Sequence, residues 1–383
     1  MKKNVLIVSP VPTHPPISGN RARIYSFVSC LKDMGCDVHF LHIEREKGSR
    51  EEMQQVWGKS YQFAEYHRPK KNLMKKLVNK IKLLFDNHSR YQHSIDDWWD
   101  DSSRNLLLDL QNKYNFDAVI AEYVFFSKAL TYFPSTTLKI VDTHDVYTDR
   151  YKHFLENNLK PIWFSTTKNE EKKALDRADV VIAIQDKERF FFSEMTKSSV
   201  ITIGHLVALV PPVETKEPHK ILYVASNNTN NIESINWFIN EAFVKIKNIL
   251  PKVELLIAGT ICDCLSDMDG LVKLGVVDEL GDIYKQADVV INPMKFGTGL
   301  KIKNVEALGF SKPLVSSSVA AAGLEDGEAK AYLLADDAQQ YVDSITKVLS
   351  DEKFYEELST QAYEYAANWN KNILASFERV LNA

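Results

Sequence analysis

Cysteine is scarce in this chain, and the signals that direct a protein into or across a membrane are missing. The 383 residues contain four cysteines, Cys30, Cys36, Cys262 and Cys264. Their spacing does not suggest a disulfide framework, and a Cys-x-Cys pair without a nearby histidine or a second pair is a poor zinc site. No charged segment precedes a long apolar run, and no stretch is apolar enough to span a bilayer. We therefore expect a protein of the reducing cytoplasm.

The chain also has no large excess of positive or negative charge. The formal net charge is only −4, which argues against a general nucleic-acid-binding protein. The sequence has no G-x-G-x-x-G motif, so a dinucleotide cofactor is not indicated. What the chain does have is length and 45% hydrophobic residues, enough for two domains that each bury a core.

Short apolar segments alternate with helical segments along most of the chain. The apolar run 5–8 is followed by a loop rich in proline, a helix over about 21–34 and a second strand over 37–43. Strand patterns return at 117–121, 138–142, 180–184 and 200–203. This alternation predicts a doubly wound parallel sheet. Residues 44–104 interrupt it and read as a polar, mostly helical insertion.

A second unit of the same kind is predicted after residues 206–219, a proline-containing linker. Strands are expected at 221–225, 253–258, 288–293 and 313–316, and an asparagine-capped helix is expected to run to about Leu250. The predicted division is a first domain over 1–205 and a second over 220–365. A final helix over 366–383 would return to the first domain.

The stretch 296–309, Phe-Gly-Thr-Gly-Leu-Lys-Ile-Lys-Asn-Val-Glu-Ala-Leu-Gly, lies between a predicted strand and a helix stop. Unpaired amides at a helix start, together with glycines that allow close approach, form a natural anion site. Lys301 and Lys303 add positive charge, and Glu306 offers a carboxylate to a ribose. The alternative is a solvated loop in which Glu306 is simply the salt-bridge partner of the lysines.

From Pro293 to Leu324 the chain resembles the retaining glycosyltransferases of family 4, through the glycine loop, Glu306-Ala307-Leu308 and Lys312-Pro313-Leu314-Val315. The resemblance implies two Rossmann-like domains facing each other across a cleft, the GT-B arrangement. It also implies a nucleoside-diphosphate sugar donor, UDP- or GDP-linked, and a glycan or lipid-linked acceptor. Transfer would retain the anomeric configuration and need no metal or other cofactor. Family members often carry two glutamates separated by seven residues. Glu306 matches the second, and Thr298 stands where the first is expected.

The helix start, the strand ends and this resemblance together suggest roles for individual residues. Those expected to be catalytic are His144, Lys301 and Glu306. Those expected to hold the donor are Gly19, Asn20, Asn227, Gly297, Thr298, Gly299, Lys301, Lys303 and Glu306. Those expected to contact substrate are Arg21, Glu122, Asp145 and Arg150.

Several of these positions follow from the strand pattern of the first half. Glu122 and His144 come directly after predicted strands, where an α/β fold presents its chemistry. Two acids flank His144 and can fix its tautomer. It can equally be a histidine that is hydrogen-bonded at a helix start beside Asp142. Arg150 either faces the substrate or neutralises Asp145.

The insertion contains a basic amphipathic segment over about 68–85, with apolar residues at helical spacing. Such a segment can rest on an anionic membrane, which would place the protein at the inner face of the membrane. It can also pack against its own domain. Trp98 and Trp99 are expected either to line an acceptor pocket or to pack in the core.

Two departures leave the activity open. Family members place a basic pair after the first strand of the second domain, where this chain has asparagines. Together with Thr298, this keeps open a non-catalytic relative that only binds ligand. A nucleotide-sugar epimerase or hydrolase is the other alternative. Asp267-Met268-Asp269 has the letters of a metal motif, but its polar surroundings indicate a solvated turn.

Overall fold

The structure is a computed structural model, and it forms two compact units. The first comprises Met1–Pro16, Asn20–Gly204 and Ser376–Ala383, and the second Ile17–Gly19 and His205–Ala375. The described residues are 2–16, 18–68, 87–157, 159–213, 219–277, 279–297 and 299–381. The predicted basic segment 68–85, except Arg68, and Thr298 lie outside them.

The first unit is built on a sheet of seven parallel strands. In order across the sheet they are β3, β2, β1, β4, β5, β6 and β7, so the chain winds outward from β1 in both directions, as a doubly wound sheet does. The strands are β1 (Asn4–Ser9), β2 (Asp37–Glu44), β3 (Tyr61–Glu65), β4 (Ala118–Glu122), β5 (Leu138–Asp142), β6 (Val180–Ala183) and β7 (Ser199–Thr202).

Six helices lie between these strands in the described part of the first unit. They are α1 (Gly19–Asp33), α2 (Arg50–Trp57), α3 (Arg104–Tyr114), α4 (Tyr151–Glu156), α5 (Lys168–Leu175) and α6 (Asp186–Ser193). Helix α1 starts within two residues of its predicted position. Short 3-10 turns connect the remaining segments, among them Val124–Tyr132 after β4.

The interpretation of residues 44–104 as mostly helical was wrong in one respect. Tyr61–Glu65 forms β3, a parallel edge strand paired with β2. Its five residues lie in a polar region and are too few to show a clear alternation, so the pairing is decided by the sheet and not by the local sequence.

The second unit repeats the design with six parallel strands in the order β10, β9, β8, β11, β12 and β13. They are β8 (Lys220–Val224), β9 (Glu254–Ala258), β10 (Leu271–Gly275), β11 (Val289–Asn292), β12 (Leu314–Ser316) and β13 (Leu333–Leu334). The four strands predicted for this half are all present. The two-sheet α/β fold is therefore confirmed.

The helices of the second unit include the one that carries the candidate site. They are α7 (Thr229–Phe238), which continues through a π-helical segment into α8 (Val244–Ile249), then α9 (Leu280–Gln286), α10 (Ile302–Gly309), α11 (Ala338–Ser350) and α12 (Glu352–Leu381). Asn228 caps α7 by accepting a hydrogen bond from the amide of Asn231, as the sequence predicts. The end of α12 groups with the first unit from Ser376 onward.

The part of the chain described here contains no helix long and apolar enough to cross a membrane. The four cysteines are unpaired, in agreement with the absence of a disulfide framework.

Candidate active site

Three loops of the second unit meet at the carboxyl edge of its sheet. Residues 226–228 follow β8, residues 293–301 follow β11, and residues 317–323 follow β12. These three strands are neighbours and parallel, so their carboxyl ends lie side by side. In open α/β sheets this edge is where ligands bind.

The loop after β11 has the backbone conformation that its glycines allow. Gly297 has a φ of 139° and Gly299 a φ of 73°, values that side chains disfavour. The Nδ2 of Asn230 donates to the carbonyl of Phe296 at 3.3 Å and so fixes the loop to the start of α7. The two glycines are therefore required by the turn that leads into α10.

Helix α10 is anchored by a buried amide. The Nδ2 of Asn304 donates to Ser316 Oγ at 3.1 Å and to the carbonyl of Ala320 at 2.9 Å. Its Oδ1 accepts from Asn292 Nδ2 at 2.8 Å. Because Asn304 is fully buried, these bonds hold the helix start against β11, β12 and the following loop.

Lys301 and Lys303 lie at the start of α10 in two different environments. Lys301 occupies the N-cap position, and its Nζ donates to the carbonyl of Gly299 at 2.7 Å. The Nζ of Lys303 is buried, 4.3 Å from the ring centroid of Tyr223, with no hydrogen-bond acceptor among the described residues. The pKa of Lys303 is lowered to about 7, mainly by burial and also by the charge of Lys301, while the charge of Glu306 opposes both. An amine without an acceptor is poised to meet an anion.

Glu306 does not serve as the salt-bridge partner of these lysines. Its Oε2 accepts from the hydroxyl of Tyr284 at 3.2 Å, and its Oε1 lies 3.9 Å from Nε2 of His205. Burial raises the pKa of Glu306, while the Tyr284 hydrogen bond and the charge of Lys303 lower it. The side chain keeps 19% of its surface exposed, so its carboxylate can still receive hydroxyl donors.

The loop after β8 supplies asparagines to this edge. Asn227 is exposed, and its backbone amide donates to Thr260 Oγ1 at 3.0 Å.

The interpretation of Asp267 and Asp269 as a solvated turn is confirmed. Their side chains are 90% and 93% exposed, and they pair with Lys273 and Lys247, respectively.

In the first unit, His144 lies at the carboxyl end of β5 in a left-handed conformation, with a φ of 64°. Its Nε2 is 2.6 Å from Oε2 of Glu122 and 3.8 Å from Asp142. Tyr123 stacks on the imidazole with ring centroids 4.0 Å apart. The acid that orients the histidine is therefore Glu122 at the end of β4, since Asp145, one of the two flanking acids, pairs with Arg150 at 3.0 Å.

A buried ion pair supports this arrangement. One guanidinium nitrogen of Arg23, on α1, donates to both oxygens of Asp142 at 2.8 and 2.9 Å, and another donates to the carbonyl of Gly204. Both side chains are essentially inaccessible. Because a buried charge without its partner is costly, the pair fixes the end of β5 next to His144.

Among the described residues, Glu122, Asp142 and His144 are the group whose arrangement matches a metal site, with ligand atoms within 4.8 Å of one another. The guanidinium of Arg23 already places a positive charge on Asp142. A bound cation would have to compete with it, so the group is a poor metal site.

The remaining predicted residues of the first unit are used within the fold. Arg21 is 6% exposed and binds Glu46, Pro15 and Lys47 through its guanidinium. These contacts hold Arg21 within its own unit, and its contact with substrate stays a prediction. Asn20 Nδ2 donates to the hydroxyl of Tyr123 at 3.1 Å. Gly19 is the first residue of α1 and groups with the second unit.

The sequence did not reveal three residues that complete these sites, Arg23, Tyr223 and Tyr284. Arg23 is spaced four residues before Phe27 and eight before Leu31, on the apolar face of α1. A charge in an apolar stripe is a signal of a buried pair. The sequence around Tyr284 gives no comparable indication, because its hydroxyl contacts Glu306 only in the folded chain.

Comparison with known proteins agrees with this description. Residues 218–351 match the family model described as Glycosyl transferases group 1. Over 148 residues the chain is 24% identical to an uncharacterized 44.6 kDa protein in the cps region of Klebsiella pneumoniae, a match that covers 36% of this chain and 38% of that protein. The match thus spans well under half of the curated relative.

Solved glycosyltransferase structures share the fold over the whole chain. Sucrose-phosphate synthase from Thermosynechococcus elongatus is 14% identical with a TM-score of 0.67, covering 100% of this chain and 98% of that one. The pneumococcal O-GlcNAc transferase GtfA, in complex with UDP and GlcNAc, is 12% identical with a TM-score of 0.68 and full coverage of both chains. HepE of Anabaena, in complex with UDP and glucose, is 13% identical with a TM-score of 0.66 and full coverage of both.

At these identities the structural likeness shows the fold. The resemblance to glycosyl transferases group 1 is confirmed for residues 218–351, which contain the glycine loop and α10. Assignment to family 4 stays a prediction.

Proposed function

We propose that this chain, whose second unit matches glycosyl transferases group 1, moves a sugar from a nucleoside-diphosphate donor to a glycan or lipid-linked acceptor. The observation that carries the proposal is the start of α10. There the Nζ of Lys303 is buried with no acceptor among the residues that the structure describes, one turn from the carboxylate of Glu306.

The donor diphosphate would bind at this helix start. The amide of Asn304 already donates to the carbonyl of Lys301 at 2.9 Å, so the amides of Ile302 and Lys303 are those that a ligand would meet, and the helix dipole favours an anion there. Lys301 and Lys303 supply the charge that the asparagines of the β8 loop do not. The hydroxyls of the ribose would donate to Glu306, whose carboxylate is held from the other side by Tyr284.

Charge considerations also suggest how transfer proceeds. Breaking the anomeric bond builds negative charge on the diphosphate and positive charge on the sugar ring. The two lysines and the helix-start amides would stabilise the leaving group without a metal. His144 is the candidate for interacting with the positive charge on the sugar ring. Attack from the face of the departing phosphate would retain the anomeric configuration and let that phosphate accept the acceptor's proton.

UDP is the first nucleotide to test, because GtfA and HepE were solved with it. The sugar must be found by screening, since Thr298 stands where related enzymes carry an acid near the donor sugar. A panel of UDP- and GDP-sugars would be incubated with the protein, with and without glycan and lipid-linked acceptors, and nucleotide release measured.

Release of nucleotide that requires an acceptor supports a transferase. Conversion of donor without acceptor would indicate a hydrolase or epimerase, and binding without turnover a non-catalytic relative. Either of these results contradicts the proposal. Lys301→Ala and Glu306→Ala should each abolish turnover, whereas Lys285→Ala, an exposed lysine of α9, should leave it unchanged.

A further inference from the structure

An exposed tryptophan lies at the carboxyl edge of the first sheet. Trp163 keeps 40% of its surface exposed, although Phe164 beside it is fully buried. Its backbone has a φ of 69°, a strained conformation for a bulky residue. Strain of this kind persists where the surroundings impose it, and such positions cluster at binding sites.

Neighbouring side chains hold the indole in place. Trp163 meets Trp98 edge to face, with centroids 5.5 Å apart, and Phe125 at 6.4 Å. The guanidinium of Arg45 lies 3.3 Å from the centroid of Trp98 and 5.1 Å from that of Trp163. An aromatic ring that is fixed on one side and open on the other offers contact area at little entropic cost.

The exposed indole is linked to His144 by ring contacts. Phe125 stacks on Tyr123 at 5.1 Å, and Tyr123 stacks on the imidazole at 4.0 Å. Three successive contacts therefore lead from Trp163 to the residue proposed to serve the donor sugar. We call His144, Tyr123, Phe125, Trp98 and Trp163 the aromatic run.

A buried hydrogen-bond donor of Arg150 lies near the aromatic run. The guanidinium of Arg150 lies 5.9 Å from the ring of Tyr147, which itself contacts Phe125. Its Nε binds Asp145, but its Nη1 is buried with no hydrogen-bond partner among the described residues. A buried donor without a partner is costly, and a ligand hydroxyl or carboxylate would satisfy it.

We propose that Trp163 is a stacking platform for a pyranose ring of the carbohydrate acceptor. A pyranose has an apolar C–H face and a rim of hydroxyls, which match an open indole face flanked by the guanidinium of Arg45. Sites for small polar ligands combine aromatic walls with a few placed polar groups in this way. The inference rests on the proposed transferase function, because it names the acceptor class of that reaction.

A lipid is the competing occupant of this surface. Ile162, next to Trp163, is 60% exposed and would favour an acyl chain. A lipid chain gains nothing from guanidinium groups, however, whereas the hydroxyls of a sugar do. The experiment separates the two.

The test uses the full chain and two variants of Trp163. Trp163→Gly removes the indole and suits the positive φ, so the local backbone conformation is kept. The packing lost against Trp98 and Phe125 should lower its melting temperature, so binding is compared at a temperature at which every variant is folded. Trp163→Phe keeps an aromatic face. Phe190→Ala is the matched control, because Phe190 is 61% exposed on the same unit and lies outside the aromatic run. The probes are a panel of glucose-, galactose-, mannose- and N-acetylglucosamine-containing tetrasaccharides and vesicles of phosphatidylglycerol and phosphatidylethanolamine.

We expect at least one tetrasaccharide to bind, with its Kd raised about tenfold or more in Trp163→Gly and nearly unchanged in Trp163→Phe and Phe190→Ala. UDP affinity should be the same in all of them. Absence of glycan binding in the parent chain, or equal binding in Trp163→Gly, would overturn the inference. Loss of vesicle binding in Trp163→Gly with glycan binding intact would also overturn it, in favour of a lipid. Failure of both UDP and GDP to bind would instead reject the transferase function itself.

Discussion

The imidazole Nε2 of His144 lies 2.6 Å from Oε2 of Glu122, and the carboxyl group of Glu122 is completely buried. Burial raises the pKa of Glu122, the Asp142 charge adds to the rise, and the hydrogen bond with His144 opposes it. The second oxygen of Glu122 has no partner among the described residues. The contact with Glu122 therefore decides which nitrogen of His144 carries the proton, and the stacked ring of Tyr123 helps to hold the imidazole plane.

Glu122→Gln should impair catalysis without weakening donor binding. The glutamine amide can donate to Nε2 and so reverse the tautomer of His144, and partners that orient a histidine typically contribute 10- to 100-fold. We expect kcat to fall by about that factor, with the UDP-sugar Kd unchanged. Glu194→Gln, an exposed acid of the same unit, is the control. Equal kcat values for Glu122→Gln and the parent would contradict the claim that Glu122 orients His144 for catalysis.

Lys303→Met should stabilise the fold while abolishing donor binding. The pKa of Lys303 is lowered from 10.5 to about 7 by burial. Between these values the unfolded chain binds a proton that the folded chain does not, so the destabilisation grows as pH falls from 10.5 to 7 and is complete below 7. At pH 7 we expect a gain in the free energy of unfolding on the order of 2 kcal/mol, and a smaller gain at pH 9.5.

Urea unfolding at both pH values measures this gain. Lys285→Met replaces an exposed lysine and should change the unfolding free energy little. A loss of stability in Lys303→Met would mean that the lysine stabilises the fold. This result would contradict the claim that Lys303 destabilises the fold and is present to bind a ligand.

Donor binding should take up a proton at pH 8. The Nζ of Lys303 is mostly neutral there in the free protein, and a diphosphate beside it would restore the charge. Calorimetry of UDP binding in Tris and in HEPES should show uptake of close to one proton, and affinity should fall as pH rises from 7 to 9. Lys303→Gln should remove the uptake. Binding enthalpies that do not depend on the buffer in the parent chain would contradict the assignment.

Gly309→Ala should destabilise the second unit. A Cβ at Gly309 would lie 2.3 Å from the carbonyl oxygen of Ala208, and the carbonyl of Gly309 accepts a hydrogen bond from Val210 at 2.8 Å. Backbone cannot move aside as a side chain can, so we expect a loss of about 1–3 kcal/mol in urea unfolding. Gly281→Ala is the control, because its Cβ would meet the ring edge of Phe310 at 3.2 Å. Equal stabilities of the two variants would contradict the packing argument.

The sequence was most informative where structure is local. The asparagine cap of α7, the glycine turn and the strand ends carrying Glu122 and His144 follow from residue types and spacing within a few positions. Contacts between distant segments were not predictable in the same way. Arg23 meets Asp142 across 119 positions, and the hydroxyl of Tyr284 meets Glu306 across 22. The sequence did not predict β3, because its residues show no strong strand pattern. It is a strand because it pairs with β2 at the edge of the sheet.

The central claim is that a nucleoside diphosphate binds where the loop after β11 enters α10. Titration calorimetry of UDP and GDP against the parent chain, Lys301→Ala, Glu306→Ala and the control Lys285→Ala tests it most directly. We expect one nucleotide to bind the parent and the control equally, and its Kd to rise about tenfold or more in each of the other two variants. Equal Kd values in all four proteins, or no binding of either nucleotide to the parent, would contradict it.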